Sequence, residues 1–126
     1  MLESILIVDD IPENLSLLHE SLDQAGYQVL VATNGFDAIE IAHRIQPDMI
    51  LLDGSMPEMD GFETCTQLKA SPVTEHIAVI FMTGLTETEH ILKGFQVGGV
   101  DYVTKPLNID EVRARVKTHL LQARLM

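Results

Sequence analysis

A doubly wound α/β domain is the fold that this sequence predicts. Three observations predict it. Short apolar runs alternate with longer segments of helical spacing, five times over. The runs are mostly unbroken by polar residues, as strands are in a parallel sheet covered on both faces. The chain has 126 residues, 46% of them hydrophobic. That suffices for one domain with a real core and is too apolar for disorder.

The elements come in order. Residues 5–8 read as a first strand that stops at Asp9 and Asp10. Leu15, Leu18, Leu22 and Ala25 then recur at helical spacing, with Gly26 as a stop. Residues 29–32 read as the second strand. Ala38, Ile41, Ala42 and Ile45 mark a second helix before Pro47. Residues 49–52 form the third strand, and Asp53 comes directly after it. Phe62, Cys65 and Leu68 mark a third helix before Pro72. Residues 78–82 form the fourth strand, with Thr83 and Gly84 after it. Ile91, Leu92 and Phe95 mark a fourth helix that Gly98 and Gly99 close. Residues 102–103 form the fifth strand, with Lys105 and Pro106 beyond it. Ile109, Val112, Val116 and Leu120 mark the last helix, with Arg113, Arg115 and Lys117 on its other faces. Right-handed crossovers between such units place helices on both sides of a parallel sheet.

No internal repeat, low-complexity tract or linker interrupts the pattern, so residues 1–126 read as a single domain. The closing stretch, HLLQARLM, stays helical and apolar to its last residue. It reads either as a plain C-terminal helix or as a helix that once ran on into a C-terminal output domain. The 19 acidic and 8 basic residues leave a net charge of -11. Phosphate binding depends on Lys and Arg, so this domain is not expected to grip nucleic acid or an anionic membrane by itself. Cys65 is the single cysteine, so no internal disulfide forms and a reducing compartment is favoured. No apolar stretch approaches the roughly 20 residues needed to span a bilayer, and no signal segment opens the chain. The expected location is the cytoplasm.

Ligands of open α/β sheets bind beyond the carboxyl ends of the strands. At that edge the sequence places Asp9, Asp10, Asp53, Thr83 and Lys105. Adjacent carboxylates repel and hold each other's protons, so a cation among them would offset the charge. Three acids suit Mg²⁺ (or Mn²⁺), a hard cation that takes carboxylates, water and phosphate oxygens. Lys105 and Thr83 could hold the oxygens of a phosphoryl group, whose transfer is catalysed mainly by positioning and charge neutralisation. A carboxylate can accept that group as an acyl phosphate. Asp53 is the best candidate, since it ends the central strand and Gly54 and Ser55 beside it are small.

These residues resemble a known family, the receiver domain of bacterial two-component response regulators. The resemblance covers essentially the whole chain. It rests on VDD at 8–10, LLDGSMPEMDG at 51–61, FMTG at 81–84 and DYVTKP at 101–106, in order and at family spacing. It implies a flavodoxin-like three-layer (βα)5 sandwich with strand order 2-1-3-4-5. It implies Asp53 as phosphoacceptor, with Mg²⁺ held by Asp9, Asp10, Asp53 and the main-chain carbonyl of Ser55. Thr83 and Lys105 would bind the phosphoryl oxygens, and Thr83 and Tyr102 would move together as the switch. Met56-Pro57 and Gly61 would shape the loop after the acceptor, and Lys105-Pro106 would be a cis peptide. The implied partners are a histidine kinase or phosphotransfer protein and a fused or separate output domain. A homodimer through the helix 4–strand 5–helix 5 face is a further implied partner. The domain would catalyse only its own phosphorylation and dephosphorylation. Ser55 and Leu85 depart from common receiver residues beside the acceptor, which bears on the lifetime of the phosphorylated state. The stretches FMTGLTETEH and GGVDYVTKP look most like receivers that regulate transcription through a helix-turn-helix domain. Receivers of hybrid kinases and cyclase-linked regulators share much of them.

Other readings lie beside this one. A Mg²⁺-dependent aspartyl-phosphate phosphohydrolase would use the same acids, but such enzymes usually carry a DxD motif where this chain has adjacent acids. A flavodoxin-like FMN carrier would meet repulsion from three acids. A degenerate receiver used only for docking would not need the full set. The five histidines (His19, His43, His76, His90 and His119) show no ligand spacing and read as surface residues. Cys65 reads as buried packing, and Gly98-Gly99 as a turn, since no phosphate-loop pattern surrounds it.

Overall fold

A computed structural model describes residues 2–84 and 88–125. Strands and helices alternate as β1 (Ser4–Val8), α1 (Pro12–Gln24), β2 (Gln28–Ala32), α2 (Gly35–Ile45), β3 (Met49–Asp53), α3 (Gly61–Lys69), β4 (Ala78–Gly84), α4 (Thr88–Gln96), β5 (Asp101–Lys105) and α5 (Ile109–Arg124). All neighbouring strands pair in parallel, in the order β2-β1-β3-β4-β5. This is the doubly wound fold and strand order that the sequence predicts.

Strand alternation sorts the apolar side chains onto two faces. Leu6, Val8, Ile50, Leu52, Val79 and Phe81 pack against Ala38 and Ala42 of α2 and Phe62, Cys65 and Leu68 of α3. Ile5, Ile7, Met49, Leu51, Ile80 and Met82 pack against Leu15, Leu18 and Leu22 of α1 and Val112, Val116 and Leu120 of α5. Leu51 lies fully buried in the central strand. Leu51→Ala is expected to cost about 2–5 kcal/mol, read as a lower urea midpoint with unchanged slope. Burial pushes the Cys65 thiol up to about 11, which leaves it an inert packing group at neutral pH. Among the described residues no helix is long and apolar enough to cross a membrane.

Helix starts obey local chemistry. Asn34, Asp60 and Asn108 accept from the backbone N–H of Asp37, Glu63 and Glu111 at 2.8, 2.8 and 3.1 Å, capping α2, α3 and α5. α1 has no side-chain cap and begins instead with Pro12, whose missing N–H costs nothing there.

Three expectations change. The strands outrun their apolar runs, because Asp53 pairs with Met82, Thr83 with Thr104 and Gly84 with Lys105. Backbone ladders do not need apolar side chains, so Asp53, Thr83 and Lys105 stand on rigid strand ends instead of the loops beyond. The face of α4 differs too: Leu92 and Phe95 are 58% and 48% exposed, and its buried residue is Gly94. A Cβ at Gly94 would lie 2.9 Å from the Phe81 ring, and one at Gly99 2.8 Å. The helix therefore rests its bare backbone on Phe81, which turns its larger apolar residues outward. Ala25 and Ile45, at helix ends, are likewise exposed.

Candidate functional site

The carboxyl edge of the sheet gathers the five residues into one cleft. β1 delivers Asp9, which is fully buried. Its Oδ1 accepts from the Ile11 backbone N–H at 2.9 Å and its Oδ2 from the Asn14 side chain at 3.1 Å. β3 delivers Asp53, 2% exposed, whose Oδ1 accepts from the Ser55 N–H at 3.1 Å. β5 delivers Lys105, whose Nζ lies 3.2 Å from Asp9 Oδ2 and 3.2 Å from Asp53 Oδ2. Asp10 is exposed, and one oxygen from each of Asp9, Asp10 and Asp53 lies within 4.8 Å of the others. Such a set could hold a metal ion. The cleft has a volume of about 280 Å³, and Asp10, Asp53, Ser55, Thr83, His90 and Lys105 are among the residues that line it.

Charge and burial compete at its floor. Burial raises the Asp53 pKa, the Ser55 N–H and Lys105 pull it down, and the Asp9 charge pushes it up; it settles at about 6. Burial alone would lower the Lys105 ammonium, but the charges of Asp53 and Asp9 outweigh it and hold the pKa above the usual lysine value. Three acids thus face one resident cation, and an added divalent ion would relieve the excess.

The loop after β3 holds this floor in place. Glu58 adopts φ +66 within it, and Met56 and Met59 are buried. The loop closes where the Gly61 N–H donates to the Gly54 carbonyl at 3.1 Å. A Cβ at Gly61 would sit 2.1 Å from the Asp53 carbonyl oxygen. Only glycine lets α3 start against the backbone of the acidic strand end. The Lys105-Pro106 peptide is cis.

A family model for the response regulator receiver domain matches residues 5–117. The chain belongs to that family. The Probable cyclic di-GMP phosphodiesterase of Vibrio cholerae is 46% identical over 121 residues, covering 96% of this chain and 27% of that protein. The DNA-binding dual master transcriptional regulator RpaA of Synechocystis is 39% identical over 116 residues, covering 92% of this chain and 48% of its own. The chain therefore spans half or less of the length of these relatives. A crystal structure of the receiver domain of sensor histidine kinase PA1611 from Pseudomonas aeruginosa, with magnesium coordinated in its active-site cleft, superposes with a TM-score of 0.88 at 26% identity. That superposition covers 95% of this chain and 98% of the other. Receiver domains are regulatory phosphoacceptors that interact with histidine kinases or phosphotransfer proteins.

Within this receiver, Tyr102 lies beside the cleft strand and not in the cleft. It pairs with Phe81 across β4 and β5, and Thr83 pairs with Thr104. Two-residue alternation puts Thr83 and Tyr102 on the same sheet face. The Tyr102 ring meets Phe95 of α4 edge-on at 6.2 Å and lies 5.9 Å from the Arg115 guanidinium. Arg115 and His119 of α5 both bond Asp101, at 2.9–3.0 Å. Burial would raise the Asp101 carboxyl, but bonds from His119, the Tyr102 N–H and Arg115 bring it below the usual value. Leu85 lies outside the described residues.

Two histidines depart from the surface reading. His119 is 16% exposed against Asp101. His90, in the first turn of α4, lines the cleft and sets its ring 5.3 Å from Phe62. Ligand spacing carries no trace of this position. The useful signal is position, since the first turn after β4 comes back to the carboxyl edge of the sheet. Asn14, which orients Asp9, carries the same signal in the first turn of α1.

Proposed function

We propose that Asp53 accepts a phosphoryl group from a histidine kinase or phosphotransfer protein, with Mg²⁺ bound at Asp9, Asp10, Asp53 and the Ser55 carbonyl. One observation carries this reading: Lys105 bridges Asp9 and Asp53 at 3.2 Å to each, with Asp10 closing a three-carboxylate cluster above them. With its pKa at about 6, Asp53 is mostly ionised at neutral pH and can attack as a nucleophile. An Asp53 oxygen forms the new bond to phosphorus, and the bond to the donor breaks. Lys105 and Thr83 hold the phosphoryl oxygens and balance their charge. When bound, Mg²⁺ supplies further neutralisation of the transferring group.

Phosphorylation adds charge beside a bistable element. Thr83 draws toward the phosphoryl group, and Tyr102, on the same sheet face, moves with it against Phe95. The surface that changes comprises α4, β5 and α5, including the exposed Leu92 and Phe95. The same surface suits a homodimer. The changed surface acts on a fused or separate output domain. The stretches FMTGLTETEH and GGVDYVTKP and the likeness to RpaA support a DNA-binding output that regulates transcription. The likeness to a kinase receiver supports the hybrid-kinase alternative, and the higher identity to the cyclic di-GMP phosphodiesterase supports an output linked to cyclic di-GMP, though not a cyclase as such.

The test incubates the purified domain with Mg²⁺ and acetyl phosphate and weighs it by intact mass spectrometry beside Asp53→Asn. A gain of one phosphoryl that requires Mg²⁺ and disappears in the variant is expected. No gain under any condition would leave the chain a docking module.

A further inference from the structure

We infer that His90 positions the water that hydrolyses the aspartyl phosphate and so sets how long the phosphorylated state lasts. The inference rests on Asp53 being the acceptor and adds a residue that this role leaves unused. Asp10, Asp53, Ser55, Thr83 and Lys105 line the cleft and are all engaged by the metal or the phosphoryl group. Among the described residues, His90 is the remaining titratable one in its wall.

The placement of His90 is built into the packing. Its ring lies 5.3 Å from Phe62, and Phe62 in turn stacks on Phe81 at 5.1 Å. The far edge of Phe62 stands 3.1 Å from where a Cβ of Gly54 would be. The imidazole thus sits one aromatic layer from the backbone just beyond the acceptor, on the α4 side. Asp53 is 2% exposed, at the floor of the cleft that His90 helps to line, so His90 borders space that an incoming water can occupy. An imidazole carries two ring nitrogens, and it can bond a neighbour and a water at the same time.

The step balances without another reactant. The water oxygen forms a bond to phosphorus as the bond from phosphorus to the Asp53 oxygen breaks. Asp53 recovers its carboxylate, and the water's protons leave with inorganic phosphate and solvent. A His90 nitrogen accepts a hydrogen bond from the incoming water and fixes its line of attack. Positioning of this kind counts because reactivity falls steeply when the attacking atom is misplaced.

The experiment phosphorylates wild type, His90→Phe and His90→Gln with acetyl phosphate and Mg²⁺, removes the donor, and tracks loss of the adduct by mass spectrometry. His90→Phe is expected to lose the adduct about threefold to tenfold more slowly than wild type, the effect of one missing hydrogen bond. His90→Gln, whose amide can accept from water, is expected to restore most of the rate. Equal lifetimes in wild type and His90→Phe, or a slow rate that His90→Gln fails to restore, would overturn the inference and leave the phosphoacceptor intact. Absence of the adduct in wild type would instead remove the role of Asp53, and the inference with it.

Discussion

Asp53→Asn is expected to make the metal-free protein more stable at pH 7, by about 2–3 kcal/mol, while it removes the proposed acceptor. Asp53 is almost fully buried, and its pKa stands at about 6 against an ordinary 3.8. The folded state therefore binds the Asp53 proton more tightly than the unfolded state does. Between pH 3.8 and 6 stability falls as pH rises, and above 6 the full cost of the buried charge is present. Asparagine stands in for the neutral acid, and its single carbonyl oxygen keeps one of the two bonds that Asp53 makes through separate oxygens, to the Ser55 N–H or to Lys105. The gap between variant and wild type should thus be complete above pH 6 and close as pH falls toward 4. Urea titrations with a chelator at pH 7 and pH 4.5 measure it. Equal stability at pH 7 would mean that Lys105 compensates Asp53 in full.

Among the glycines whose surroundings are described, Gly61 should tolerate an added methyl least. The added carbon would lie 2.1 Å from the Asp53 carbonyl oxygen and 2.9 Å from Gly54 Cα. Both are backbone atoms on the buried strand end, so neither can rotate away. The loss on Gly61→Ala is expected to reach about 3 kcal/mol or more, beyond ordinary overpacking, with displacement of Asp53 and loss of the adduct proposed to form on it. Gly26→Ala is the control. Gly26 has φ +96 and open space around it, so alanine there meets only backbone strain of about 1–2 kcal/mol. Paired urea midpoints check the contrast. If Gly61→Ala cost no more than Gly26→Ala, α3 would be able to shift off the strand cheaply.

The order of elements was legible because apolar runs and helical stripes alternate without interruption. The cleft was legible for a related reason. A parallel sheet puts all its strand ends on one edge, so the polar residues just past the apolar runs, Asp9, Asp10, Asp53, Thr83 and Lys105, have to meet there. The strand ends lie beyond the apolar runs because ladders extend through Asp53, Thr83 and Lys105 on backbone bonds, which leave no mark on hydropathy. The face of α4 is hidden from the pattern for a steric reason. Gly94 and Gly99 approach Phe81 so closely that the helix needs no large residue inward, and a periodicity of Leu and Phe then records its outer face. His90 escaped because its role depends on which wall of the cleft its turn forms, and single-residue spacing carries no such information.

The closure of the loop from Gly54 to Gly61 limits how proteins built this way can diverge. Surface loops ordinarily absorb insertions at small cost, since chain entropy grows slowly with length. Here the Gly61 N–H returns to the Gly54 carbonyl, and α3 begins with its backbone against Asp53. An extra residue in that span is tolerated only where it bulges outward with both ends still held by this bond. Changes that would move the ends are closed, while side chains at the cleft, at positions such as Ser55 and His90, can vary with the frame behind them in place.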